Sequence, residues 1–383
     1  MLPNGTHSKC RKETGMKNHS SERKSPKRPV RARKCESVTI GMDLGDRTSR
    51  YCVLGDDGSV LKEGKTATTK KGMAQVFGAM EHSRIAIEVG THSPWVSRLL
   101  KGFGHEVIVA NPRQVKLISA SSRKDDKLDA QVLARLARVD PKLLRPIRHR
   151  SEQGQMHLMV IRTRAALINA RTELVNAARG LAKSTGERLP KSDADQMGVA
   201  RLEELTEELR ETLKPLLLEV ESLTERIKEC DTKIEQIART EYPETKLLKQ
   251  VKGVGTLTAL SFILTVEDKN RFRKSRDVGS YLGLRPKRSE SGEREPQLRI
   301  TKEGDPYLRV LLVQGAHCIL SAKAPDTDLK RFGLKLCERG GKNAKKRALV
   351  AVARKLAVLL HRLWVTGEVY EPLRNHAELS KAA

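Results

Sequence analysis

Apolar and polar positions begin to alternate at Val38. Val38–Asp43 is a short apolar run that closes on an acid, and Tyr51–Leu54 is a second run. The turn Gly55-Asp56-Asp57-Gly58 then leads into a third near Val60-Leu61, which predicts a hairpin from its Gly and Asp content. Next come a helix near Gly72–Glu81, the strand Ile85–Glu88, a helix starting after Pro94, the strand Val107–Ala110 and a helix over about Lys127–Val139. Three meandering strands followed by alternating helix and strand predict one mixed sheet with helices packed on it. From about Gln155 to Arg239 the apolar spacing changes to three and four. Leu202, Leu205, Leu209, Leu213, Leu216, Val220, Leu223, Ile227, Cys230, Ile234 and Ile237 form a sustained seam with charged residues between them, a coiled-coil signal. An earlier arm, Leu158 to Leu181, can fold back across a break at residues 186–198. Pro215 inside the seam predicts a kink. A last amphipathic helix over Ala348–Val365 presents Leu349, Val352, Leu356, Leu359, Leu360 and Leu363 on one face.

Charge narrows the partners. The chain has 383 residues, 74 Lys and Arg against 47 Asp and Glu, and a net charge of +27. Such an excess repels itself in a compact state unless a polyanion binds, so nucleic acid is the expected partner. Aromatic residues make up only 3%, which argues against single-strand reading mainly by base stacking and for phosphate contacts. Residues 1–34 hold eleven Lys and Arg against Glu13 and Glu22 with no apolar period, as expected of a basic tail (1–36) lying on a nucleic-acid backbone or serving solubility. It has no apolar core of a signal peptide, and no run approaches the ~18 apolar residues of a membrane span. Six cysteines without a C-x-x-C pair argue against a zinc site or a disulfide framework and fit a reducing cytoplasm.

The acids fall where this chain order puts them to use. The order of strands and helices is similar to the ribonuclease-H-like nuclease fold. Asp43 ends the first strand and Glu88 the fourth, so both carboxylates are expected at neighbouring strand ends. Asp126 and Asp129, three apart at a helix start, share a face, and Asp125 is a rival for Asp126. Four carboxylates within ~4 Å of one another would repel by several kcal/mol even at an effective dielectric near 20. Hard divalent cations would relieve that repulsion, and two Mg²⁺ ions so held suit phosphodiester cleavage. Taken singly, each acid also reads as a turn former, a helix cap or a first-turn residue favoured by the helix dipole.

Successive blocks make the chain recognisable. Gly41-Met42-Asp43, Ile87-Glu88-Val89-Gly90-Thr91, Gly104-His105-Glu106-Val107, residues 111–116 (NPRQVK) and Lys124-Asp125-Asp126-Lys127-Leu128-Asp129-Ala130 resemble the DEDD-type insertion-sequence transposases of the IS-one-ten class, bridge-RNA-guided recombinases. The resemblance implies a RuvC-like nuclease domain over 37–145 whose metal-binding tetrad is Asp43, Glu88, Asp126 and Asp129, since its last block reads K-x-D-x-x-D-A and selects Asp126. A helical hairpin or coiled coil over 146–240 and a mainly α C-terminal transposase domain over 241–367 follow, then a frayed tail, 368–383.

Residues 247–259 (LLKQVKGVGTLTA) are similar to a helix-hairpin-helix element, whose glycines would let the backbone approach a phosphate. Residues 278–286 (VGSYLGLRP), Ser289-Glu290-Ser291-Gly292 and residues 300–309 (ITKEGDPYLR) resemble the family's C-terminal domain, where an S-G dipeptide in a loop supplies a nucleophilic serine. That implies Ser291, with Ser280 and Ser289 as rivals. From the residues themselves, Arg285, Lys287, Arg288, Arg294 and Arg299 around it read as stabilising charge on phosphorus or as gripping the DNA backbone. Lys345, Lys346 and Arg347 open the last helix against its dipole, which predicts a phosphate near them. The expected function is a transposase that cuts and rejoins the DNA ends of its own element with Mg²⁺ and a serine nucleophile. A bridge RNA as guide is implied by the resemblance, and the expected setting is the cytoplasm of a bacterium, in association with the nucleoid. The seam reads as an intramolecular hairpin or, preferably, as the contact of a homodimer or homotetramer. The other readings are a RuvC-like nuclease or resolvase using water, and a non-catalytic basic nucleic-acid-binding protein.

Overall fold

The computed structural model describes residues 38–111, 126–289 and 298–374. The chain divides into two compact units, residues 1–149 and 150–383. Among the described residues no helix is long and apolar enough to cross a membrane, and Cys52, Cys230, Cys318 and Cys337 form no disulfide.

The first unit is a mixed sheet with helices on both faces. Its strands are β1 (Thr39–Asp43), β2 (Thr48–Leu54), β3 (Val60–Ala67), β4 (Arg84–Glu88) and β5 (Glu106–Ala110), and its helices are α1 (Lys70–Phe77), α2 (Ser93–Gly102) and α3 (Asp126–Val139). The five strands lie in the order β3-β2-β1-β4-β5. β1, β2 and β3 pair antiparallel, whereas β1 with β4 and β4 with β5 pair parallel. Helix α1 stops at Phe77, four residues short of the expected Glu81, and starts early at Lys70 because Thr69 caps it through the Gly72 N–H.

The period of two along each strand sorts the side chains between two cores. Ile40 and Met42 of β1 and Ile85 and Ile87 of β4 pack with Met73, Phe77, Val96 and Leu100 of α1 and α2. The alternate residues face α3: Ala86 packs with Leu133 and Ala137, and Cys52 and Leu54 with Ala130 and Ala134. Gly41 is the closest approach, since a Cβ there would meet the Ala130 carbonyl oxygen at 2.0 Å and the Ala134 nitrogen at 2.3 Å.

The second unit opens with two long helices, α4 (Glu152–Ser184, 33 residues) and α5 (Glu207–Thr240, 34 residues). They pack antiparallel in one chain: Arg164 pairs with Asp231, Arg171 donates to Thr224 at 3.1 Å, and Ile161 shares a core with Ile234 and Ile237. The seam is therefore buried at home. Leu209, Leu213, Val220, Leu223, Ile227, Ile234 and Ile237 are buried within the single chain, which corrects the expectation that they form a contact between subunits. Leu202 and Leu205 precede α5 but are buried in the same core as Val175 and Ala178, so the seam continues spatially where the helix does not. α5 runs unbroken through Pro215.

The remainder is helical: α6 (Thr245–Leu248), α7 (Thr256–Val266), α8 (Asp277–Tyr281), α9 (Pro306–Leu320), α10 (Asp328–Glu338) and α11 (Ala344–Thr366). Its core joins Phe262 and Val266 of α7, Leu308 and Leu312 of α9, and Val352, Leu356, Leu360 and Trp364 of α11.

Candidate functional site

The acidic edge of the first unit follows from strand register. β1 and β4 run parallel with Met42 opposite Ile87, so Asp43 and Glu88 are the next residues on adjacent strands, whose spacing is about 4.8 Å. Both are half-buried. Because Gly41 and Ala86 face α3, Asp43 and Glu88, two residues on, face the same side.

Helix α3 runs against the strand direction. Arg84 at the start of β4 donates to the carbonyl of Ala137 late in α3, and Gly41 lies against Ala130 near its beginning. The start of α3 thus lies at the end of the sheet that carries Asp43 and Glu88. Its sheet-facing stripe, Ala130, Leu133 and Ala137, extends by i−4 steps to positions 126 and 129. Asp129 is half-buried; the side chain of Asp126 and the whole of Asp125 lie outside the described residues. Lys127 Nζ anchors this turn to Glu63 of β3 at 2.7 Å.

Among the described residues no three Asp, Glu, His or Cys side chains close on one another as a metal-holding group. The donor chemistry nevertheless fits a hard cation, since the side chains carried to this edge are carboxylates. Burial, with Glu63 adding, pushes the Cys52 thiol up.

The loops after the two acid-bearing strands are tied together. Trp95 Nε1 donates to His92 Nδ1 at 3.1 Å, which puts the ring proton on Nε2, 3.4 Å from Asp46 Oδ1. Gly90 N–H donates to Ser93 Oγ at 3.0 Å, and Ser93 Oγ lies 2.9 Å from His149 Nε2. The segment Thr91-His92-Ser93-Pro94-Trp95 is the sequence signal for this knot, which reading for acids alone passes over.

In the second unit, two antiparallel stems frame residues 290–297. Thr301 N–H donates to Arg285 O and Lys287 N–H to Arg299 O, both at 2.9 Å, around a bridge between Pro286 and Ile300. Ser291 and Arg294 lie outside the described residues. Ser280 is within α8, and Ser289 is exposed on one stem beside Arg285, Lys287 and Arg288, with Arg299 exposed opposite.

The base of the stems is clamped from within. Gly283 has φ +67°, and a Cβ on it would lie 2.2 Å from the Glu303 nitrogen, so only glycine fits. Arg309 Nη1 donates to the carbonyls of Leu282 and Gly304 at 3.2 Å and to that of Glu303. Burial holds this guanidinium below its ordinary value. Asp305 caps α9 through the Leu308 N–H at 2.9 Å and pairs with Arg162 of α4.

The helix-hairpin-helix glycines have separate uses. Gly253, at φ +84°, lies against the backbone of α9, where a Cβ would meet the Gly315 carbonyl at 2.6 Å. Its close approach serves internal packing. Gly255 faces open space at the start of α7.

Two family models match the chain. A DEDD-type IS110 model, described as transposase, covers residues 40–186, and one described as the transposase IS116/IS110/IS902 family covers residues 245–331. The chain is 29% identical over 342 residues to a transposase for insertion sequence element IS1111A of Coxiella burnetii, covering 86% of this chain and 90% of that protein. It is 28% identical over 341 residues to a probable family 20 transposase of Pseudomonas aeruginosa, covering 87% and 98%. A putative transposase of Sinorhizobium fredii is 29% identical over 358 residues, covering 90% and 88%.

Proposed function

For this chain, which belongs to the IS110/IS116 family of insertion-sequence transposases and so cleaves and rejoins DNA, we propose a mechanism that joins an acidic tetrad to a serine nucleophile. The observation that carries it is the placement of Asp43 and Glu88 on adjacent parallel strand ends, facing the helix whose first turn holds Asp126 and Asp129. The first unit is read as RuvC-like. Asp43, Glu88, Asp126 and Asp129 would hold Mg²⁺, which when bound supplies charge stabilisation on phosphate oxygens.

Ser291 is the nucleophile in this reading. Its Oγ bonds to phosphorus, the bond to the leaving deoxyribose oxygen breaks, and the proton lost by the hydroxyl is matched by one gained by that oxygen. Rejoining reverses the step with a new DNA hydroxyl. Arg285, Lys287, Arg288 and Arg299 flank residues 290–297 in the chain and stabilise the extra negative charge of the pentacoordinate phosphorus. Pairing with a bridge RNA selects the DNA, and the protein works as a homodimer or homotetramer.

The test is a denaturing gel of the protein with labelled element-end DNA and Mg²⁺. Wild type is expected to give a DNA band that migrates with protein, and Ser291→Ala none. Full cleavage and rejoining by Ser291→Ala would assign the chemistry to water, as in a resolvase.

A further inference from the structure

The second unit contains a groove of about 1220 Å³ bounded by α10, α11, the stem residues Leu298–Ile300 and residues 368–374. Its wall is of two kinds. Leu284, Leu298, Ile300, Leu329, Val350 and Val358 supply hydrocarbon, and around them stand ten Arg and Lys side chains against three carboxylates. One of those carboxylates, Glu368, is already paired with Arg362 at 2.8 Å and with Arg374 at 3.0 Å.

Helix α11 explains the mixture. Ala348, Val352, Leu356, Leu360 and Leu363 bury one face in the core. The stripe Arg347, Ala351, Arg354, Val358 and Arg362, at steps of three and four, lines the groove. Cationic and small apolar side chains therefore alternate along one face, with the three arginines about 10 and 12 Å apart along the axis. The first turn holds no acid, and Lys346 and Arg347 from that turn line the groove.

A cationic rim alone would suit any polyanion. The apolar floor is what discriminates, because a duplex hides its base faces in the stack, whereas a single strand presents a row of phosphates together with unstacked bases. An acidic peptide has charges but no regular phosphate row to match a helix-long line of guanidinium groups. DNA is the substrate of the family, so the strand is DNA.

We propose that this groove binds single-stranded DNA, with phosphates on Arg347, Arg354 and Arg362 and bases against Leu298, Val350 and Val358. The proposal rests on family membership and is independent of the serine and metal reading. It supplies a place for a strand unpaired from its complement during cutting and rejoining.

The experiment uses the full-length protein in EDTA, with fluorescence anisotropy of labelled oligodeoxythymidine. An abasic oligonucleotide, a blunt duplex and oligouridine of equal length are measured alongside. Wild type is expected to bind oligodeoxythymidine at least fivefold tighter than the abasic strand or the duplex. Arg354→Gln weakens every strand severalfold. Val358→Asn lowers affinity only for the base-bearing strand, bringing it within twofold of the abasic one, with unchanged thermal unfolding. Equal binding of abasic and base-bearing strands by wild type would overturn the proposal. So would wild-type affinities in both variants, a tighter complex with oligouridine that responds to the same variants, or displacement of the DNA from the groove by an acidic peptide alone. As a check that needs no variant, a bromodeoxyuridine-substituted strand is expected to crosslink to wild type within residues 298–300 or 343–362; crosslinks confined elsewhere reject the assignment.

Discussion

Gly41 lies so close to Ala130 that a Cβ on Gly41 would sit 2.0 Å from the Ala130 carbonyl oxygen. This contact lets α3 lie directly on β1 and brings its first turn to the strand ends of Asp43 and Glu88. Gly41→Ala is expected to push the helix off the sheet, costing about 1–3 kcal/mol or more, and to lower DNA cleavage along with stability. Thermal unfolding and a cleavage assay read both effects. Wild-type values for each would show that the helix does not need this approach.

Asp43→Asn and Glu88→Gln should act on chemistry and leave the fold. Each keeps the size of the side chain and removes one charge from the acidic edge, so cleavage is expected to fall on the order of a hundredfold or more, with far-UV circular dichroism unchanged. Chelation of divalent metal should produce the same loss in wild type, reversed by added Mg²⁺. Activity that survives both treatments would separate these carboxylates from the reaction.

Arg309→Gln removes the donor that ties the carbonyls of Leu282, Glu303 and Gly304. Stability should fall by about 1–3 kcal/mol, the cost of stranding such groups. Yield of covalent protein–DNA species should fall further than stability does, because the stems that frame residue 291 lose their common anchor. Comparing the covalent yield at a temperature where the variant is still folded separates the two effects.

Stability should also fall on acidification through His361. Burial holds its imidazole below the ordinary value, with Nε2–H donating to Lys269 O at 2.9 Å and Nδ1 accepting from Ser275 Oγ at 3.0 Å. The unfolded chain therefore takes up the proton first. The contribution is complete above about pH 6.5, the unfolded value, and is lost as pH falls toward the lower folded value. Wild type should lose more melting temperature between pH 7 and pH 5 than His361→Asn does.

Ile234 tests where the helical seam is buried. It is buried beside Ile161 and Leu260 of the same chain, so Ile234→Ala should cost about 2–5 kcal/mol. The loss should be the same at every protein concentration, because mass action affects stability only where subunits separate. A loss that shrinks at high concentration would return the seam to a contact between subunits.

The strands, the hairpin turn, the two long helices and the acid positions were readable from local pattern alone. Period two and period three-to-four leave their mark in consecutive residues, and a glycine-rich turn announces itself within four. The coiled-coil seam was read as apolar but left between two partners with a second subunit preferred, since a stripe of leucines carries no mark of whether α4 or another chain will cover it. Gly253 shows the same limit. That its backbone makes a close approach was visible, while the surface it approaches, Gly315 of α9, lies 62 residues away in the chain.

Chain order thus sufficed for the elements, for the acidic residues at strand ends and for the basic character that selects nucleic acid. These depend on neighbours a few residues apart and on summed charge. Which carboxylates share a side, which helix covers the seam, and that Arg347, Arg354 and Arg362 line a groove floored by Leu298 and Ile300 depend on register and on helix direction. Those are settled by burial of surface between distant segments, a non-directional force that no short stretch of residues encodes.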